Sequence, residues 1–474
     1  MAARFLHAQA QQRCGAMARY QDPDPDFRHQ LASPGIQTLP STPMENIDLL
    51  VFSRGPWITL DAPGPGPRSG AEMNQMAQSS GLAVAIRGDR IEALGPLADL
   101  RQRYQATCEL DWGDLLVMPG FVDPHTHPVF NASREAEFEM RNQGRSYVEI
   151  AKAGGGIRSS VRSLREASED ELVAKLRIRA DRFLELGTTT LEAKSGYGLS
   201  TEDELKSLRA IRRVAESHPL GFVPTFLGAH EIPDEWRDDR ESYINLIINE
   251  MIPAVASEGL AVFCDVFCEE HVFNVDESRR ILMAARAAGL RARLHADEIE
   301  STGGAELAAE VDAISADHLV AISDQGIEDL KAAGTIPVLL PGTSFFLNLP
   351  SHAPARRMID AGLPIALATD YNPGSCHTQS MPMIMTLASI NYGLSTAEIF
   401  NATTVNAAAS LGLAADRGRL APGLRADLIA IDAPSPQFLP YQFGNNIVRD
   451  VVKNGQHVVH QGQRIATNHG NQQT

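Results

Sequence analysis

His125 and His127 flank a single threonine just past the apolar run 116–122. On an extended segment, residues two apart face the same way, so both imidazoles can reach one ion. Further runs close on His295 in Leu294-His295-Ala296-Asp297-Glu298, on His318 in Ala316-Asp317-His318, and on Asp370 in Ala368-Thr369-Asp370-Tyr371-Asn372-Pro373-Gly374-Ser375. Imidazoles and a carboxylate are the donors that a divalent transition metal takes. Such an ion lowers the pKa of its water from about 15.7 toward about 7, so that the nucleophile is the water and not a side chain. Glu298, three residues past His295, is placed to take the water's proton and hand it to a leaving nitrogen. His318 can polarise a carbonyl or stabilise a developing oxyanion. Singly, each of these residues has a plain structural explanation as a core histidine, a helix cap or a first-turn acid. Their joint order along the chain carries the chemical reading.

Groups so far apart in sequence need a frame that gathers strand ends. Apolar runs recur at 115–122, 188–191, 223–227, 261–267, 292–295, 311–316, 335–340 and 365–369, and amphipathic stretches such as 169–186 and 201–217 lie between most of them. Eight strand–helix units predict an α/β chain with a (β/α)8 barrel over 115–415, whose functional groups stand at the C-terminal strand ends. Short alternating runs within 44–114 and 416–465, broken by Gly and Pro, predict a small composite β-sandwich built from both chain ends. Residues 63–80 read as a surface loop. Residues 1–43 lack any apolar period and read as a poorly ordered extension, and 466–474 as a tail. An upstream start, with Met44 opening the working chain, explains the extension as well as a functional tail does. Cys264 and Cys268 share a strand face without a second cysteine pair to complete a zinc ribbon, and read as barrel packing.

Composition narrows the class. The 474 residues are 43% hydrophobic and 21% charged, which excludes disordered, collagenous and disulfide-stapled proteins. A net charge of −17 repels phosphate backbones and anionic membrane surfaces, so neither nucleic acid nor a membrane is expected as a partner. No run approaches the roughly 18–20 apolar residues of a membrane helix. Five scattered cysteines fit a reducing cytoplasm. A homodimer is the expected assembly, dimers being the commonest among soluble oligomers.

The stretch Met118-Pro119-Gly120-Phe121-Val122-Asp123-Pro124-His125-Thr126-His127, the strand-end order above and the tail Gly418-Arg419-Leu420-Ala421-Pro422-Gly423-Leu424-Arg425-Ala426-Asp427-Leu428 together resemble the amidohydrolase superfamily of metal-dependent hydrolases. The resemblance covers roughly 48–459. Binuclear members carry a carboxylated lysine on strand four, whereas the fourth run here ends Phe267-Cys268-Glu269-Glu270-His271. The resemblance therefore implies one divalent ion, Zn or Fe, on His125, His127, His295 and Asp370.

His-x-x-Glu on strand five is shared by ring-attacking deaminases and ring-opening hydrolases, so the loops must identify the substrate. Arg134, seven residues past His127, could clamp a carboxylate bidentately, although spacing alone favours an ordinary surface pair with a nearby glutamate. The stretches around Arg134, Glu192-Ala193-Lys194-Ser195-Gly196-Tyr197-Gly198-Leu199, Phe226-Leu227-Gly228-Ala229-His230-Glu231 and the loop after Asp370 resemble the imidazolonepropionase family of histidine breakdown. That resemblance implies hydrolysis of the cyclic amide of 4-imidazolone-5-propanoate, a small molecule with a carboxylate, to N-formimidoyl-L-glutamate. It implies that Arg134, Tyr197, Asn372, Gly374 and Ser375 hold propionate and ring, that His230 touches the ring near the metal, and that Glu298, His318 and Asp370 act on the amide. A deaminase of guanine or cytosine is the alternative; it has no need of Arg134.

Overall fold

The structure, a computed structural model, describes residues 44–62, 64, 66–145, 149 and 154–465. The extension expected at 1–43 and the tail at 466–474 lie outside the described residues. Eight parallel strands make one sheet in chain order: Phe121–Asp123, Thr188–Lys194, Gly221–Ala229, Phe263–Cys268, Arg291–Ala296, Ser315–His318, Ile336–Leu339 and Ala366–Leu367. These are barrel strands one to eight. A parallel bridge between Thr126 and Tyr371 joins the eighth back to the first, and the Asp370 and His127 amides donate to the His125 and Tyr371 carbonyls. The (β/α)8 barrel thus closes at the level of the histidine pair. Strands buried on both faces need apolar residues on both, which is why they are legible as continuous runs.

Helices return along the outside, started by local chemistry. Glu169–Glu185 begins at a Ser168–Glu171 capping box, Thr201–Ala215 at Ser200, and Val275–Ala287 at an Asn274–Glu277 box. Each cap satisfies an amide that the helix start leaves without a partner, worth about 1 kcal/mol. Leu172, Leu176, Ala180 and Phe183 then face the barrel at helical spacing.

The chain ends interleave in sheets of which the larger packs against the outer helix Glu169–Glu185. A four-stranded sheet orders Arg90–Pro96, Leu82–Arg87, Glu45–Phe52 and Tyr104–Asp111. A seven-stranded sheet takes Pro56–Ile58, Gln78–Ser80 and Leu116–Pro119 from the first end and Leu428–Ile431, Val448–Lys453, Gln456–His460 and Gln463–Arg464 from the second. Val51, Trp57, Val84, Ile86, Val117, Leu428 and Val452 form the core between them.

Two expectations need correction. The run read as the whole first barrel strand splits: Leu116–Pro119 belongs to the seven-stranded sheet and only Phe121–Asp123 to the barrel. Gly120 is the hinge, since its amide donates to the Asp427 carbonyl and a Cβ there would overlap Thr189. The segment 63–80 is also more than a surface loop. It carries a helical turn, Gly70–Asn74, with Met73 buried, and the edge strand Gln78–Ser80. Asn406 exchanges hydrogen bonds with the Arg68 backbone at 2.7 and 3.0 Å, and the Asn401 amide donates to the Met73 and Gln75 carbonyls.

Candidate metal centre and substrate rim

His125, His127, His295 and Asp370, scattered over 246 positions of sequence, converge at the C-terminal end of the barrel. The Nε2 atoms of His125 and His127 are 3.3 Å apart, and those of His127 and His295 are 3.4 Å apart. Asp370 Oδ1 lies 3.7 Å from His125 Nε2 and 3.5 Å from His127 Nε2. Tetrahedral ligands at about 2.0–2.1 Å from zinc are separated by about 3.3 Å, so these spacings suit one ion. The tautomers agree. His125 Nδ1 donates to Asp317 Oδ2 at 2.7 Å, which leaves the Nε2 lone pair facing inward. Burial pushes His125 and His127 well below the usual histidine range, keeping both neutral. His127 Nδ1 is buried without a hydrogen-bond partner among the described residues.

The backbone at these strand ends is strained. Asp297, His318 and Asp370 have φ of 48°, 76° and 52°, in the left-handed region that costs non-glycine residues about 1–3 kcal/mol each. Tertiary bonds hold it there: Thr343 Oγ1 donates to Asp370 Oδ2, and the Leu319 amide donates to the Ala296 carbonyl. The strain turns the side chains of strand ends five, six and eight into one mouth.

His318 stacks on His295 with ring centres 5.2 Å apart, and its Nδ1 is 3.4 Å from Glu298 Oε1. Burial, reinforced by the Asp370 charge, pushes the Glu298 carboxyl up to about 8. His230 lies nearly parallel to His127 at 5.1 Å and donates from Nδ1 to the Gly196 carbonyl at 2.8 Å, which leaves Nε2 as an acceptor. Tyr197 is buried 5.3 Å from His230, and burial raises its phenol so that it keeps its proton. The four expected metal ligands, Glu298 and His318 therefore share one space with His230 and Tyr197.

The rim differs from the expectation in one respect. Arg134 donates from Nε and Nη2 to Glu137 Oε2 at 2.9 and 2.7 Å, so the acid pair that spacing favoured exists. It is nevertheless only 16% exposed, and its guanidinium packs so closely on Gly374 that a Cβ there would overlap it. Arg134 is therefore both paired and delivered to the loop that follows Asp370. Asn372 uses its side chain on that loop: Oδ1 accepts from the Gly374 and Ser375 amides at 2.8 and 2.7 Å, and Nδ2 donates to the Asp370 carbonyl and Ser375 Oγ. It shapes the loop, whatever else it touches.

Several participants carry no role in the sequence reading. Lys194 Nζ, on strand two, bonds Glu192 Oε1 at 2.7 Å and Asp265 Oδ2 at 2.6 Å, and Asp265 Oδ2 is 3.0 Å from His295 Nδ1. Arg293 Nη2 donates to Asp317 Oδ2 at 3.0 Å. All five of these charged residues are fully buried. Glu269, at the end of strand four, accepts the Glu298 and Ile299 amides at 2.6 and 2.9 Å and so sets where Glu298 begins. Arg141 donates twice to the Gly374 carbonyl at 3.2 Å. A signal for the first group did exist, because a charge within a strand buried on both faces must have a partner.

Comparison with known proteins agrees with this geometry. The amidohydrolase family matches residues 116–458, and the imidazolonepropionase-like composite domain of bacteria matches 83–104. Imidazolonepropionase of Symbiobacterium thermophilum is 48% identical over 423 residues, covering 88% of this chain and 99% of that protein. Imidazolonepropionase of Geobacillus kaustophilus is 47% identical, covering 85% and 96%. Among solved structures, an adenosine deaminase from Xanthomonas campestris with bound zinc superposes with a TM-score of 0.67 at 20% identity, covering 90% of this chain and 96% of that one. E. coli guanine deaminase gives 0.67 at 15%, covering 87% and 99%. At those identities the deaminases speak for the fold alone. With a near-complete match to curated relatives, a family match over most of the barrel and the metal-compatible cluster at its mouth, the chain belongs to the imidazolonepropionase family of metal-dependent amidohydrolases.

Proposed function

We propose that this chain opens the ring of 4-imidazolone-5-propanoate by hydrolysis, giving N-formimidoyl-L-glutamate in histidine breakdown. The observation that carries the reading is the joining of two chemistries at one mouth. An imidazole–carboxylate cluster stands beside Glu298 and His318, and a guanidinium is delivered to Gly374, four residues past Asp370. The names of relatives 44–48% identical over most of the chain support it.

One divalent ion, zinc or iron, would be held by His125, His127, His295 and Asp370. When bound, it supplies Lewis-acid activation of a water at neutral pH. Glu298 accepts a proton as the water oxygen bonds to the ring carbonyl carbon. His318 donates a hydrogen bond to the carbonyl oxygen as charge gathers there. The ring C–N bond then breaks, and Glu298 returns the proton to the departing nitrogen. A raised carboxyl suits this double duty, because it takes and gives a proton near neutral pH. Arg134 binds the propionate, with Tyr197, Asn372, Gly374 and Ser375 lining the rest and His230 against the ring. We place the working enzyme in the cytoplasm as a homodimer, with the barrel at 115–415 and the sandwich at 44–114 and 416–465.

Turnover of imidazolonepropionate by metal-reconstituted protein, with the product identified by mass, tests the reading. Ring opening is expected. Ammonia release from guanine or cytosine without ring opening of the imidazolone would overturn it.

A further inference from the structure

We propose that Asp450, His457 and His460 form a second, peripheral site for a divalent transition metal on the β-sandwich. Their ligand atoms lie within 4.8 Å of one another, on strands Val448–Lys453 and Gln456–His460, apart from the barrel mouth. Histidines three apart on a regular strand point to opposite faces. Here the pairing advances two residues, His457 to Val459, against one on the partner, Val452 to Val451. This bulge turns the strand by one residue and brings both imidazoles to the same face. Their rings are 5.5 Å apart, and His457 Nε2 and His460 Nδ1 each lie 2.8 Å from Asp450 Oδ1. Ligands about a zinc ion stand about 3.3 Å apart, so an ion entering between them needs each partner to move by a few tenths of an ångström.

A second feature points to a ligand. The three residues line a cleft of about 610 Å³ together with Trp112. Trp112, only 6% exposed, forms part of the cleft wall, and water entering the cleft can complete a three-ligand shell. Arg449 lines the same cleft, but Asp432 engages its guanidinium at 2.7 Å. Two neutral imidazoles and one carboxylate select zinc, nickel or copper(II) over magnesium and calcium, which prefer all-oxygen shells. Binding requires only that each imidazole carry its proton on the ring nitrogen away from Asp450. Because the ligands come from two adjacent strands, the ion would staple this hairpin and leave the barrel untouched.

The test titrates zinc into chelator-stripped full-length protein by calorimetry and follows the melting temperature. The wild type is expected to bind one ion per chain more than a His457→Gln/His460→Gln variant, and to gain more in melting temperature from zinc. Imidazolone turnover should be the same in both. Equal zinc stoichiometry in the two proteins overturns the site. His295→Ala, which removes a barrel ligand, separates this inference from the catalytic one. With cobalt(II) in place of zinc, that variant keeps His457 and His460 and should show a visible band, saturating at one ion per chain, that adding His457→Gln/His460→Gln abolishes. Absence of the band likewise overturns the site, and does so without relying on the folding of the double variant.

Discussion

Beneath the histidines, Glu192, Lys194, Asp265, Arg293 and Asp317 are fully buried and pair, three carboxylates with two cations, through bonds of 2.6–3.0 Å. At the rim, Arg134 bonds Glu137, and the Asn372 side chain bonds its own loop. Both regions pair their charged groups, but by different means. The inner charges come from strands two, four, five and six, so they cannot rearrange without opening the barrel, and they hold the imidazoles ready before any ligand arrives. The rim groups pair within short segments and in partial contact with water. An incoming carboxylate there must share or displace bonds that already exist, which costs affinity but lets the tail enter and leave. On the proposed reading, chemistry falls on the rigid part of the mouth and recognition on the adjustable part.

If the inner region is as rigid as its burial implies, its variants should fail outright. His295→Ala and Asp370→Ala are expected to lose the barrel-bound ion and activity together, read by metal content per chain and turnover. Full metal occupancy with retained rate would refute the coordination. Lys194→Met should destabilise the fold by about 3–5 kcal/mol, because Glu192 and Asp265 are left buried without their cation. Chemical denaturation checks this, and a change below about 1 kcal/mol would mean that the network is not under charge tension. Glu298→Gln should keep the metal and lose at least about a hundredfold in kcat, as a neutral isostere cannot take the proton. A rate within tenfold of the parent removes Glu298 from the mechanism.

The rim should respond more gently and in a substrate-dependent way. Arg134→Lys is expected to lower kcat/KM about ten- to 150-fold, the value of about 1.5–3 kcal/mol for a charged hydrogen bond. The loss should vanish for an imidazolone that lacks the carboxylate; equal losses on both substrates would assign Arg134 to the fold. Gly374→Ala places a methyl against the Arg134 guanidinium and should cost about tenfold in kcat/KM, about 1.4 kcal/mol, without altering metal content. Unchanged kinetics would show that Arg134 has room to move aside.

The histidines of the candidate metal centre were readable because they follow strand ends, and strands buried on both faces announce themselves as apolar runs with a polar residue at the end. The helices were readable to within two residues, since 169–186 and 201–217 are Glu169–Glu185 and Thr201–Ala215, set by Ser168 and Ser200 at their starts. Residue type at a strand end is a local property, and so is a cap. Which sheet a residue joins is not local: Leu116–Pro119 and Phe121–Asp123 are one apolar run, and only the close packing of Gly120 on Thr189 divides them between sandwich and barrel. The same holds for Lys194. Its neighbour Glu192 is two residues away, but Asp265 is 71 away and reaches it only when strands two and four are rolled into a barrel. The sequence by itself thus determined the barrel's apolar runs and outer helices, their order and the polar residues at their ends. Tertiary structure decided how buried charges pair and which polar atoms the rim has already used, because those depend on distances across the barrel that no local pattern encodes.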